Sequence, residues 1–203
     1  MKRIIHVLQL VSALLVVVLF SGCALTKTYI PLSYTAQTSV SKVAGADSVA
    51  VNVSVSDQRT DKSSVGAKKN GYGMEMAPII AMNDVAALLK SAIETELAGR
   101  GFNLGASKAV SVNAEISTFR NDFKTGFWSG DAVAQVVMNI TVKNETGIIV
   151  YTKLVSGQGI NPNIQLASGE NAKVALEAAL KDALDKMFGD YAFIEALVKS
   201  KKS

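Results

Sequence analysis

The chain has 203 residues, 49% of them apolar, a formal charge of +4, one cysteine and one histidine. That length suits one domain with a sizeable core and excludes two large ones. A single cysteine leaves no internal disulfide to staple the fold, so stability has to come from packing.

The chain opens on a targeting segment. Lys2 and Arg3 precede an almost unbroken apolar run over residues 7–20, which closes on Ser21, Gly22 and Cys23. A charged start, an apolar stretch too short to span a bilayer comfortably and a small-residue end make a secretory signal. Phe20-Ser21-Gly22-Cys23 resembles the bacterial lipobox, in which the thiol is acylated and the chain is cut just before it, although the usual Leu of the first position is Phe here. The expected products are a lipoprotein signal peptide, residues 1–22, and a mature chain that begins at a palmitoylated Cys23. The alternatives are an uncleaved anchor or an ordinary signal with a chance cysteine. Removing 22 of the 203 residues leaves 181, and the charge falls from +4 to +2 because Lys2 and Arg3 leave and no acid does. The basic balance is therefore partly a targeting feature and no argument for nucleic acid. Residue 24 is Ala rather than Asp, which by resemblance to Gram-negative lipoproteins implies the outer membrane and its periplasmic face.

Residues 23–47, rich in Thr, Ser and Ala, read as a lipidated N-terminus and a linker with some extended structure around residues 29–34. A single domain is expected over residues 48–203. Val49, Val51, Val53 and Val55 alternate with small or polar residues and predict a strand with one face in the core. Asp57-Gln58-Arg59-Thr60-Asp61 follows, then a Lys, Gly and Ser-rich loop to Gly73 that is long for a compact domain. Residues 83–100 predict an amphipathic helix with Val85, Leu88, Leu89, Ala92, Ile93 and Leu97 on one stripe, Asn83 as its cap and Gly101 in the left-handed position past its end. Val110, Val112, Ala114 and Ile116 predict a second strand to about Phe119, and a turn-like region, residues 121–130, carries Phe123, Phe127 and Trp128. Ala134, Val136, Met138, Ile140 and Val142 form a further apolar face. Asn144-Glu145-Thr146-Gly147 turns the chain, and residues 148–156 run back with Ile148, Val150, Thr152 and Leu154 on one side. Residues 157–167, with Pro162, read as a crossover loop. Ser168 caps a second helix lined by Leu176, Leu180, Ala183, Leu184, Met187 and Phe188, and a short helix over residues 191–199 follows Gly189. The order predicts an α+β two-layer sandwich, a mainly antiparallel sheet with two amphipathic helices on one face and the other face wet.

The run Val53-Ser54-Val55-Ser56-Asp57-Gln58-Arg59-Thr60-Asp61, then a helix ending Glu96-Leu97-Ala98-Gly99-Arg100-Gly101-Phe102, behind a lipobox, resembles the YajG family of uncharacterised bacterial lipoproteins. The resemblance covers most of the mature chain in element order. It implies membrane attachment through Cys23 and brings no established reaction, cofactor or catalytic residue.

The chemistry follows mostly by elimination. The single histidine, His6, lies in the segment expected to be removed, so the mature domain lacks the imidazole of Ser-His-Asp and Cys-His machinery and of His-ligated metal sites. Acylation uses the only thiol, and Lys90-Ser91 and Ser200-Lys201 lack the spacing of a serine-lysine enzyme. No catalytic residue, metal or cofactor is expected. Asp57, Arg59 and Asp61 could grip a cation or polar ligand, or Asp57 could close a turn while Arg59 pins the long loop. Phe127 and Trp128, with Phe123, could dock a partner or dip into headgroups, or fold back to plug the sheet. The expectation is a membrane-anchored envelope lipoprotein with a non-enzymatic binding or scaffold role. Its partners would be the bilayer, through Cys23, and an envelope protein, with no nucleic acid. The alternative is a periplasmic small-ligand or glycan-binding lipoprotein with a pocket beside Asp57 and Asp61.

Overall fold

The computed structural model describes residues 26–105, 109–124, 126 and 128–200. The expectations for the signal segment, Cys23 and Phe127 fall outside the described residues.

Alternating apolar residues build the strands and stripes build the helices. In chain order they are β1 (Thr28–Ile30), β2 (Ala50–Asp57), β3 (Gly66–Lys69), β4 (Glu75–Ala81), α1 (Val85–Gly99), β5 (Asn103–Leu104), β6 (Val110–Lys124), β7 (Gly130–Lys143), β8 (Ile149–Ile164), α2 (Gly169–Phe188) and α3 (Tyr191–Lys199). The α+β class holds and the two long helices and the short final one are present, but the strands form two mixed sheets instead of one mainly antiparallel sheet. Five strands lie in the order β5-β2-β6-β7-β8 and three in the order β1-β4-β3. Both sheets are mixed: β2 is parallel to β5 and β6, and β1 is parallel to β4, while β6-β7, β7-β8 and β3-β4 are antiparallel. Alternation specifies a face and says nothing about direction, which is why the pattern could not separate the two arrangements.

β6 joins the two sheets. Its first half runs beside β2, from Val51 opposite Val110 to Asp57 opposite Ile116. A bulge between Ile116 and Thr118 then bends it. Beyond the bulge the Asn121 N–H donates to the Val65 carbonyl at 2.7 Å, next to β3, and the sheets curve into a half-barrel. The strand expected to stop near Phe119 thus reaches Lys124, because Phe119, Asn121 and Phe123 continue the inward alternation. The long loop after Asp61 likewise contains β3, which pairs with β4.

The segment expected as a linker is, from Thr28 onward, part of the domain. β1 pairs with β4, Ile30 and Leu32 are buried, and Asn83 holds the Leu32 backbone through both its amide oxygen (3.0 Å) and its amide nitrogen (3.1 Å). Ser33 donates to Glu177 of α2 from its N–H and its hydroxyl, each at 2.8 Å. The α1 cap is consequently Asp84, which accepts the Ala87 N–H at 2.7 Å, and not Asn83. Gly101 does take the left-handed conformation, with φ 95°.

The expected crossover loop over residues 157–167 is mostly strand. β8 carries glycine at its inward positions 157 and 159, where α2 lies directly on the backbone. A Cβ at Gly157 would sit 2.3 Å from the Ala179 carbonyl oxygen, and one at Gly159 would sit 2.1 Å from that of Ala175. α2 answers with Ala172, Ala175, Ala179 and Ala183, all fully buried. Ile148, Val150 and Leu154 do share a side, but it is the outer one, with Leu154 64% exposed. β8 is an edge strand, and α2 guards its middle: Lys186 donates to the Ser156 carbonyl (3.0 Å) and Asp182 accepts the Gln158 N–H (2.8 Å), the two side chains pairing at 2.7 Å.

Gly159→Ala should therefore lower unfolding stability by about 3 kcal/mol or more, since the added methyl meets helix backbone that cannot yield. Gly71→Ala, where a Cβ meets nothing within 4 Å, should leave the urea midpoint unchanged; equal midpoints for both variants would disprove the close contact.

Candidate functional site

The Asp57–Asp61 string begins where β2 runs out. The Gln58 N–H still donates to the Ile116 carbonyl (2.8 Å), after which the chain turns and Arg59 points inward, 7% exposed. Its Nε and Nη2 donate to the Asp57 carboxylate at 3.0 and 2.8 Å, and its Nη1 donates to the carbonyls of Ser64 (3.1 Å) and Phe119 (3.3 Å). The guanidinium has five N–H donors, and these bonds engage four. Arg59 thus stitches the end of β2, the start of the β3 arm and β6 together at the point where β6 changes partners. The Arg59 hydrogen bonds hold the Asp57 carboxyl below its ordinary range against the opposing effect of burial.

Asp61 works separately. It accepts from the Ser63 N–H (2.8 Å), the Ser63 hydroxyl (2.6 Å) and the Ser64 hydroxyl (2.5 Å), which push its pKa down to about 2. Arg120 lies 3.9 Å from Asp61 and pairs with Glu75 at 3.1 Å. Asp57 and Asp61 accept from different partners, Arg59 and the Ser63–Ser64 pair, and among the described residues no group of three or more His, Cys, Asp or Glu is placed to hold a metal. Beside the string lies a cleft of about 530 Å³ whose walls include Asp57, Arg59, Lys62, Ser63, Met82 and Asp84. It sits between the end of β2 and the start of α1, and Asp61 is not among its walls.

The aromatic cluster is divided by the fold. Phe123 is buried in the core, whereas Trp128, in the β6–β7 turn, is 85% exposed. Phe127 lies outside the described residues.

A second polar cluster escaped the sequence reading. Glu96 of α1 is 1% exposed, and its carboxylate accepts from the Tyr34 hydroxyl (2.7 Å), the Gln37 N–H (2.8 Å) and the Arg100 guanidinium. Arg100 also donates to the Gln37 side chain and lies 4.3 Å above the Phe188 ring. Gln37 in turn donates to Asp185 of α2 at 2.6 Å, so the N-terminal segment is latched between the two long helices. Burial pushes the Glu96 carboxyl up, but the Gln37 N–H, the Tyr34 hydroxyl and Arg100 together carry it below its ordinary value. The Tyr34 hydroxyl is pushed up by burial and by Glu96. A signal was present: Glu96 stands three residues after Ile93 on the apolar stripe, four before Arg100.

Residues 36–198 match a family described as uncharacterised lipoproteins. The chain belongs to that family. The YajG resemblance read from the Asp57–Asp61 string and the α1 exit is thereby borne out. Among solved structures, protein XCC0632 from Xanthomonas campestris is similar at 12% identity and a TM-score of 0.54, covering 81% of this chain and 93% of that one. An uncharacterised protein scores 0.48 at 10% identity, with 79% and 96% covered. The hypothetical protein CT253 from Chlamydia trachomatis scores 0.34 at 13% identity, with 75% and 99% covered. The first likeness supports a shared fold and carries nothing about activity. No curated protein matches the chain.

Arg59→Lys should destabilise this lipoprotein by about 3 kcal/mol, because a lysine cannot hold the Asp57 fork and two carbonyls at once; an unchanged urea midpoint would remove Arg59 from the seam. Acid should act on the same groups. The folded values of Asp57 and Asp61 lie below 3.8 and that of Glu96 below 4.5, so the unfolded chain binds protons first as pH falls. Their stabilisation is complete above about pH 4.5 and is lost on descent through the folded values, for Asp61 between 3.8 and about 2. The urea midpoint should be lower at about pH 3 than at about pH 6, and a flat profile would contradict the assignment.

Proposed function

We propose that this protein is a lipid-anchored envelope lipoprotein, cut before Cys23, acylated there and held at the periplasmic face of the outer membrane, where its domain acts as a non-enzymatic binding or scaffold module. The observation that carries the reading is membership of a lipoprotein family in a chain whose residues 20–23 are Phe-Ser-Gly-Cys. Among the described residues no helix is long and apolar enough to cross a membrane, so acyl chains are the natural hold. Each buried methylene contributes roughly 0.8 kcal/mol and one chain holds only marginally, whereas several make attachment effectively permanent. Ala24 is in keeping with the outer membrane. The non-enzymatic part draws support from the charged groups themselves: Asp57, Arg59, Glu96 and Arg100 are engaged in holding elements together.

The cleft beside Arg59 favours a second reading, a small-ligand or glycan-binding lipoprotein, with Lys62 and Ser63 on its rim. Crosslinking in whole cells followed by mass spectrometry separates the two: a stoichiometric envelope protein supports the scaffold, and a co-purifying metabolite without one supports the ligand reading.

Cys23→Ser should leave the precursor uncut at residue 22 and abolish palmitate labelling. Mature Cys23→Ser protein that still sediments with envelopes after a carbonate wash would defeat the anchor.

A further inference from the structure

One end of the domain gathers the two most exposed aromatic side chains among the described residues, Tyr72 and Trp128. β3 and β6 run the same way: Val65 lies beside Asn121, and Lys69, four residues on, reaches Asp122 at 2.6 Å and the Phe123 carbonyl at 3.2 Å. The β3–β4 and β6–β7 turns therefore emerge together. β8 finishes at the same end, since Ile164 pairs with Gly130. Each of these three turns exposes large apolar side chains: Tyr72 (91%) and Met74, Trp128, and Leu166. Tyr72 and Trp128 are the two most exposed large hydrophobic residues among those described.

The chain also enters the domain from this end. β1 runs parallel to β4 with Thr28 opposite Ile79, so it leads away from the β3–β4 turn. Thr28 also lies against the start of α2, where a Cβ on Gly169 would come within 2.5 Å of it. Cys23 precedes Thr26 by three residues, and at ~3.3–3.6 Å per residue its Cα is no more than about 11 Å away. Lys27 and Lys124, both exposed, belong to the same end. A tether that short leaves the domain little freedom to turn, and whichever surface surrounds its exit has to face the leaflet.

We propose that this end is a membrane-docking face: Trp128, Tyr72, Met74 and Leu166 enter the headgroup region of the leaflet that holds the acyl chains of Cys23, with Lys27 and Lys124 beside its phosphates. Tryptophan and tyrosine are the side chains that favour that boundary, an apolar body with a polar tip. The lipid anchor fixes the protein to the leaflet and the turns fix its orientation. The inference rests on the anchor reading above.

Trp128 is the only tryptophan, so its emission reports this face alone. The full-length, processed protein is placed in phosphatidylethanolamine–phosphatidylglycerol vesicles, with and without brominated acyl chains, after flotation has established attachment. The expected result is a loss of most Trp128 emission to the bromines, with protection from aqueous iodide. Tyr72→Ser/Met74→Ser/Leu166→Ser, all exposed positions, should float and melt as the parent does but lose much of the bromine quenching; unchanged quenching would overturn the shared face. A parent protein that floats while its emission answers to iodide alone overturns docking and spares the anchor. A protein that fails to float overturns both.

Discussion

The architecture depends on a single exchange of partners along β6. For its first half this strand belongs with β2, and after the bulge at Ile116–Thr118 it belongs with the arm that leads into β3. Such an exchange leaves strand-end carbonyls turned toward the interior, and buried backbone acceptors need donors. Arg59 supplies them to Ser64 and Phe119 while Asp57 neutralises its charge. Because the seam sets β3 alongside β6 in the same direction, it also decides that two turns and the entering chain share one end of the molecule.

The second constraint is how near α2 comes to the sheet. Glycines at 157 and 159 and alanines along α2 let helix backbone rest on strand backbone, and the latch of Tyr34, Gln37, Glu96 and Arg100 then ties the N-terminal segment between α1 and α2. A segment that reads as a spacer is in this way made part of the wall. From Thr28 onward the segment therefore belongs to the folded domain and is not a spacer beside it.

The charged residues that looked most like a site in the sequence hold the seam, and the buried pair that looked like part of a helix holds the latch. The outer face of the sheet is left polar beside β2, where the Ser54 hydroxyl meets Asn113 at 2.5 Å. Its long edge at β8 is protected by Asp182 and Lys186, so strand pairing with other chains is discouraged where it would be easiest.

Much was legible from residue order. The alternation of Val49–Val55, Val110–Ile116 and Ala134–Val142 marked strands whose inward sides are those observed, and Ser168 and Gly101 marked helix ends where they stand, because faces and caps are local consequences of side-chain type. Direction and partnership were not legible. Nothing in an alternating run says parallel or antiparallel, nothing in Gly157 and Gly159 distinguishes a loop from a strand beneath a helix, and nothing in Thr28–Ile30 announces that β4 waits fifty residues later. The sequence by itself determined the family and the class of fold, through motifs that act on their own neighbours. Only the tertiary structure decided that Arg59 is a seam and that the turns bearing Trp128 and Tyr72 share one end of the domain, since both follow from contacts between segments far apart in the chain.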